Sequence, residues 1–346
     1  MGSTRVSLSA TSVEPLGAPP VTAPAGIAGL GTALPQTVVD TSRIADRLGV
    51  EPAWIMKRTG IARRHHLAAH EGLTDLAVAA GRAALADAGI QSTEIDAVIV
   101  ATSSSDEVMP HAAPLVAHAL GATGAMAWDV GLACTGFLAA LEQGAALVES
   151  GRARVVLVIA ADALSRLTDH SDKKTAALFG DGAGAVVLVP GAPMRLGPSL
   201  LRVDGNDSDA LFVTHDERMI RMDGPAVFQR AVACMEEVCR QVLAAAELTV
   251  ADVDLVVPHQ ANARITTALR ERLALEPDQV ADTIACHGNT GAASIPLALA
   301  QAAGDGRIPR TGRLLLTAFG AGFAYGATLL EVGVGQRSEA DTRVAA

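Results

Sequence analysis

The chain has 346 residues, half of them hydrophobic, and a formal net charge of -10 at pH 7; it can bury a large core, and its charge repels a phosphate backbone, which argues against nucleic acid as a partner. Its longest apolar runs, such as Val155 to Ala161, fall far short of the roughly 20 residues that cross a bilayer, so the expectation is no membrane span and a cytoplasmic location. Aromatics make up only 3% of the chain, so Ala, Val and Leu must fill the space between sheet and helix layers, which favours an α/β architecture.

Residues 1–25 are rich in Ser, Thr, Pro and Ala and lack a basic start followed by an apolar stretch. They read as a disordered N-terminal extension rather than a signal peptide. His65 and His66 stand in an Arg-rich stretch and fit a surface reading. A helix over Ala83 to Ala88 leads through Glu94-Ile95-Asp96 into the apolar strand Ala97 to Val100. A second strand runs into Gly131-Leu132-Ala133-Cys134-Thr135-Gly136, a helix follows, and Arg154 to Ile159 forms the next strand. The stretch closes on Gly180-Asp181-Gly182-Ala183-Gly184, a glycine-rich turn entering an apolar strand.

The same order then repeats. Val242 to Ala246 leads through Asp252-Val253-Asp254 into Leu255 to Val257, and Asn289-Thr290-Gly291-Ala292 occupies the place that Cys134 holds in the first copy. Arg313 to Leu316 matches Arg154 to Ile159, and Gly320-Ala321-Gly322-Phe323 matches the first glycine turn. The copies span 26–190 and 191–334, with a polar tail at 335–346. Alternating short strands and helices imply mostly parallel sheets, with ligand sites beyond the strands' carboxyl ends.

Cys134 lies between a strand and a helix, where exposed backbone N–H groups lower a thiol pKa and suit a nucleophile; a small buried hydrophobe is the ordinary alternative. Cys234 and Cys239 fall inside a predicted helix and read as core. Four cysteines without CxxC spacing point to neither a disulfide framework nor a zinc site. His259, in Pro258-His259-Gln260-Ala261-Asn262, ends an apolar strand where packing has no use for an imidazole but acid–base or hydrogen-bond chemistry does. Asn289 follows His287-Gly288 in a tight turn that equally suits a left-handed backbone. The glycine-rich turns open strands, not helices, so they do not match a dinucleotide fingerprint; the second is a candidate oxyanion-binding turn at Ala321.

These residues resemble the β-ketoacyl-acyl carrier protein synthase III family of the thiolase superfamily over roughly Gly26 to Val332. The shared motifs are Ala133-Cys134-Thr135-Gly136-Phe137, Pro258-His259-Gln260-Ala261-Asn262 and Gly288-Asn289-Thr290 with Ala292-Ala293-Ser294-Ile295-Pro296. Trp54-Ile55-Met56-Lys57-Arg58-Thr59-Gly60-Ile61 and Phe179 to Gly184 also match. The resemblance implies a homodimer of thiolase-like, five-layered αβαβα subunits, a Cys134–His259–Asn289 triad, and an oxyanion hole from the N–H groups of Cys134 and Ala321. It further implies that Trp54 and Arg166 flank the adenine of coenzyme A, that Arg58 meets its phosphates, that Asn262 lines the pantetheine tunnel, and that Arg264 helps dock an acidic carrier protein.

One departure concerns the acyl pocket. Where the family commonly sends a phenylalanine across the dimer interface, this chain reads Glu107-Val108-Met109-Pro110, and the unbranched Met109 would reshape the pocket. Ser103 stands where the 3-hydroxy-3-methylglutaryl-coenzyme A synthase branch needs a glutamate, although Glu107 is close by.

The implied reaction joins an acyl-coenzyme A starter, through acyl-Cys134, to a malonyl thioester carried on acyl carrier protein. It is decarboxylative, needs no metal or redox cofactor, and starts a fatty acid or polyketide chain. Two alternatives stay open from the residues alone. One is an acyltransferase that forms no carbon–carbon bond; the other is a non-catalytic carrier-protein-binding synthase subunit.

Overall fold

The structure, a computed structural model, describes residues 23–333. The expected extension, up to residue 22, and the polar tail at 335–346 lie outside the described residues. The first half runs β1 (Ala25–Ala33), β2 (Thr37–Asp40), α1 (Thr41–Leu48), α2 (Pro52–Thr59), β3 (Arg63–His66), α3 (Leu73–Ala88), β4 (Ala97–Ala101), α4 (Ala112–Leu120), β5 (Met126–Val130), α5 (Gly136–Glu149), β6 (Val156–Ala163) and β7 (Asp181–Pro190). The second runs β8 (Met194–Val203), β9 (Leu211–Val213), β10 (Ile220–Met222), α6 (Gly224–Ala245), β11 (Leu255–Pro258), α7 (Ala263–Arg272), α8 (Ile284–His287), α9 (Ser294–Gly304), β12 (Gly312–Gly320) and β13 (Ala324–Val332).

The strand order β11-β12-β13-β8-β1-β7-β6-β4-β5 makes the duplication visible. Reading outward from the centre, β8, β13, β12 and β11 mirror β1, β7, β6 and β4. Val280, paired in parallel with Val256, stands in for β5. The halves meet at β1 and β8 through only Gly26↔Arg195 and Ile27↔Met194.

Successive side chains of a strand point to opposite faces, and here both faces are apolar. Ala97, Ile99 and Ala101 of β4 join one core with α5, α9 and the inner face of β11 and β12. Val98 and Val100 join a second core with α3 and α4. Val256 and Leu315 face a third, under α6 and α7. The layers are therefore helix, sheet, the α5/α9 pair, sheet, helix, and burial on both faces explains the near-continuous apolar runs.

Two expectations need correction. The sheets are mixed rather than mostly parallel: β4 pairs in parallel with β5 and β6, and β11 with β12, but β6–β7, β7–β1, β12–β13 and β13–β8 are antiparallel. The reason is that no crossover helix separates β6 from β7 or β12 from β13. The stretch at residues 63–66 is not a surface segment either. Arg64 is fully buried, its guanidinium donating to the carbonyls of Val39 and Ala177 and to Thr41 Oγ1, and the two histidines beside it are half-buried.

Candidate active site

Cys134 occupies a short 3₁₀ turn, Ala133–Thr135, that runs directly into α5. Ala133 before it takes the left-handed φ of 43°, a strained conformation for a residue with a Cβ. Gly320, at the end of β12, faces the turn: a Cβ there would stand 2.9 Å from the Cys134 nitrogen. The β12–β13 turn that carries Ala321 therefore lies against Cys134, and both residues line one cavity of about 500 Å³.

His259 follows β11, is only 3% exposed, and anchors its N–H on the Thr317 carbonyl at 2.7 Å. Its Nδ1 lies 2.6 Å from Ser294 Oγ, which also accepts the Gln260 N–H at 3.2 Å. Asn289 pairs with Phe179 as an isolated bridge, is 7% exposed, and its Oδ1 accepts the Gly291 N–H at 2.9 Å. The cavity lining includes Gly291 but neither His259 nor Asn289.

Burial governs the titration of all three ionisable groups here. It pushes the Cys134 thiol up to about 12, and the nearby Asp162 carboxylate acts in the same direction. The helix-start effect expected to lower this thiol is outweighed. Burial holds His259 down at about 4, so its imidazole is neutral at pH 7. It raises Asp162 to about 6 even though Ser103, Ala292, Ser104 and Thr102 all donate to the carboxylate.

The residues expected along the entrance form a separate cluster. The Arg58 guanidinium lies 3.9 Å over the Trp54 ring, and Asn262 caps α7 while donating to the Arg58 carbonyl at 3.1 Å. Arg264 is exposed over Phe228. Arg166 is engaged elsewhere: it forms a 2.6 Å ion pair with Asp106 and bonds the Glu71 carbonyl. Met109 is 81% exposed and adjoins Glu107 and Val108 on the cavity rim.

Two regions match models of 3-oxoacyl-[acyl-carrier-protein] synthase III, residues 128–205 and, for its C-terminal part, residues 243–332. The β-ketoacyl-[acyl-carrier-protein] synthase III of Rhodospirillum rubrum is 44% identical over 319 residues, 88% of this chain and 98% of that protein. The chain belongs to the 3-oxoacyl-[acyl-carrier-protein] synthase III family. Within it, the enzyme from Pseudomonas aeruginosa PAO1 superposes with a TM-score of 0.86 at 41% identity, covering 89% of this chain and 98% of its own. The priming β-ketosynthase of the R1128 polyketide pathway superposes equally well, TM-score 0.86 at 35% identity over 90% and 97%. The thiolase-like fold is thus shown together with the family.

Sequence reasoning missed Asp162, which lines the cavity with Cys134, and the contact of Ser294 with His259. A signal for Asp162 was present: it ends the apolar run Val155 to Ala161, where an acid has no packing reason to stand.

Proposed function

We propose that the chain starts fatty acid or polyketide assembly by decarboxylative condensation of an acyl-coenzyme A with malonyl-acyl carrier protein. The observation that carries this is Cys134 in the turn that leads into α5, against the Ala321 turn, in a cavity also lined by Gly291, whose N–H holds the Asn289 carboxamide.

In the first half-reaction the Cys134 sulfur bonds to the acyl carbon, the bond to the coenzyme A sulfur breaks, and the thiol proton leaves on coenzyme A. The N–H groups of Cys134 and Ala321 hold the oxyanion that forms in passing. A thiol held near 12 is not a standing thiolate, so charge develops on sulfur only during attack, where the α5 N-terminus favours it.

In the second half-reaction the bond from the malonyl methylene to its carboxylate breaks, CO2 leaves, and the electron pair moves onto the thioester oxygen as an enolate. In this reading Ser294 donates its hydroxyl proton to His259 Nδ1, 2.6 Å away, while its oxygen accepts the Gln260 N–H. The ring proton then sits on Nε2, which donates to the enolate oxygen together with the Asn289 amide. The enolate carbon attacks acyl-Cys134, the C–S bond breaks, and the released sulfur takes a proton from water. The thioesters are substrates, and no step uses a redox cofactor or metal.

Trp54, Arg58 and Asn262 would hold coenzyme A, joined by Arg166 once it leaves Asp106, with Arg264 meeting the carrier protein. The working unit would be a homodimer: among the described strands β5 is a sheet edge, a position open to pairing with another chain, and Met126, Val108, Met109 and Val213 are exposed. Met109 would then reach the partner's acyl pocket. Four free thiols suit the reducing cytoplasm.

Intact-protein mass spectrometry with a panel of acyl-coenzyme A thioesters tests the first step. One acyl group per chain is expected, lost entirely in Cys134→Ala. Stoichiometric labelling of that variant would overturn the role of Cys134.

A further inference from the structure

Asp162 is the last but one residue of β6 in the first half, is 1% exposed, and reaches across to the second half. Its Oδ1 accepts the Ser103 N–H and the Ser104 hydroxyl, each at 2.9 Å, with Thr102 Oγ1 at 3.4 Å. Its Oδ2 accepts the Ala292 N–H at 2.9 Å. Gly291, in between, takes the left-handed φ of 58°, and a Cβ on it would stand 2.2 Å from Asp162 Oδ2. The turn therefore closes directly onto the carboxylate, and its Gly291 N–H in turn holds Asn289 Oδ1.

We propose that Asp162 is a positioning residue for decarboxylation, its carboxylate clamping the Gly291–Ala292 turn so that the Asn289 amide group faces the malonyl carbonyl. The proposal rests on the role of Asn289 in holding the enolate. A carboxylate is the group this place requires, because it accepts on both oxygens and offers no hydrogen. An Asn here would turn its NH2 either on the Ala292 N–H or on the Ser103 and Ser104 donors. Burying a charge is costly, and burial does push Asp162 up to about 6, so simple packing does not account for an acid at this position. The same charge raises the Cys134 thiol; removing it should leave acylation no slower.

The full chain is assayed with both half-reactions measured separately: acyl transfer to Cys134 from the acyl-coenzyme A that labels the unaltered chain best, and CO2 release from malonyl-loaded acyl carrier protein. Asp162→Asn, checked for folding by thermal melting, is expected to lose about tenfold or more in CO2 release, the worth of one or more misdirected hydrogen bonds, while acylation is kept. Undiminished CO2 release, or an equal loss in both half-reactions, overturns the proposal. Asn289→Ala separates it from the underlying role of that residue: if this variant still decarboxylates normally, the role of Asn289 falls and the proposal with it. If only Asp162→Asn is normal, the proposal alone falls. Should Asp162→Asn fail to fold, Ser104→Ala replaces it, with the same split at several-fold size expected and unchanged CO2 release contradicting it.

Discussion

His259 shows how one side chain is shaped by where its strand ends. The β11 strand delivers it into the interior, and Ser294 at the first position of α9 takes its Nδ1. Burial depresses its pKa from 6.5 to about 4. The unfolded chain takes up the proton near pH 6.5 and the folded chain only near 4, so this contribution to stability is present above pH 6.5 and is lost as pH falls towards 4. At most it is worth about 3 kcal/mol. The difference in Tm between the unaltered chain and His259→Asn should therefore shrink between pH 7 and 4.5; a difference that grows with acidity would contradict the buried neutral imidazole. The motif around His259 was legible because an imidazole after an apolar strand has no packing purpose. The same reasoning applies to Asp162, but a single carboxylate at a strand end gives no hint that its partner is the Ala292 N–H, distant in sequence.

At the level of elements, the position of α9 matters most, since its first turn brings Ser294 to His259 and follows directly on the Asn289 turn. By sequence Gly182 and Gly184 belong to a turn entering a strand, yet both lie inside β7. Their purpose is close approach: a Cβ on Gly184 would stand 2.7 Å from Pro296 Cβ, and one on Gly182 3.0 Å from Leu297. In sequence such glycines read as room for a ligand beside the backbone, whereas here the close neighbour is α9. Gly184→Ala should overpack the β7–α9 contact at a cost of about 1–3 kcal/mol, read as a Tm lowered by several degrees, with CO2 release falling as α9 shifts. An unchanged Tm would show that α9 does not bear on β7 as tightly as the geometry requires.

For the whole molecule, duplication was readable because each copy repeats the same strand, helix and turn order, and the two halves do stack around a shared α5/α9 layer. Strand directions were not readable, since a helix-free return from β6 to β7 looks in sequence like any other loop. The two-fold arrangement divides the chemistry between the halves. On the proposed reading the first contributes the sulfur and the clamping carboxylate, the second the imidazole and the carboxamide. The chemistry assigned to that joint site is carbon–carbon bond formation, and it is tested most directly on the product. The chain is incubated with an acyl-coenzyme A and malonyl-loaded acyl carrier protein, and the intact mass of the carrier protein is read. The expected result is a carrier that has lost CO2 from its malonyl group and gained the acyl group, with Cys134→Ala giving none. A carrier that keeps its malonyl group or gains acyl without losing CO2, or the β-ketoacyl product formed by Cys134→Ala, would contradict it.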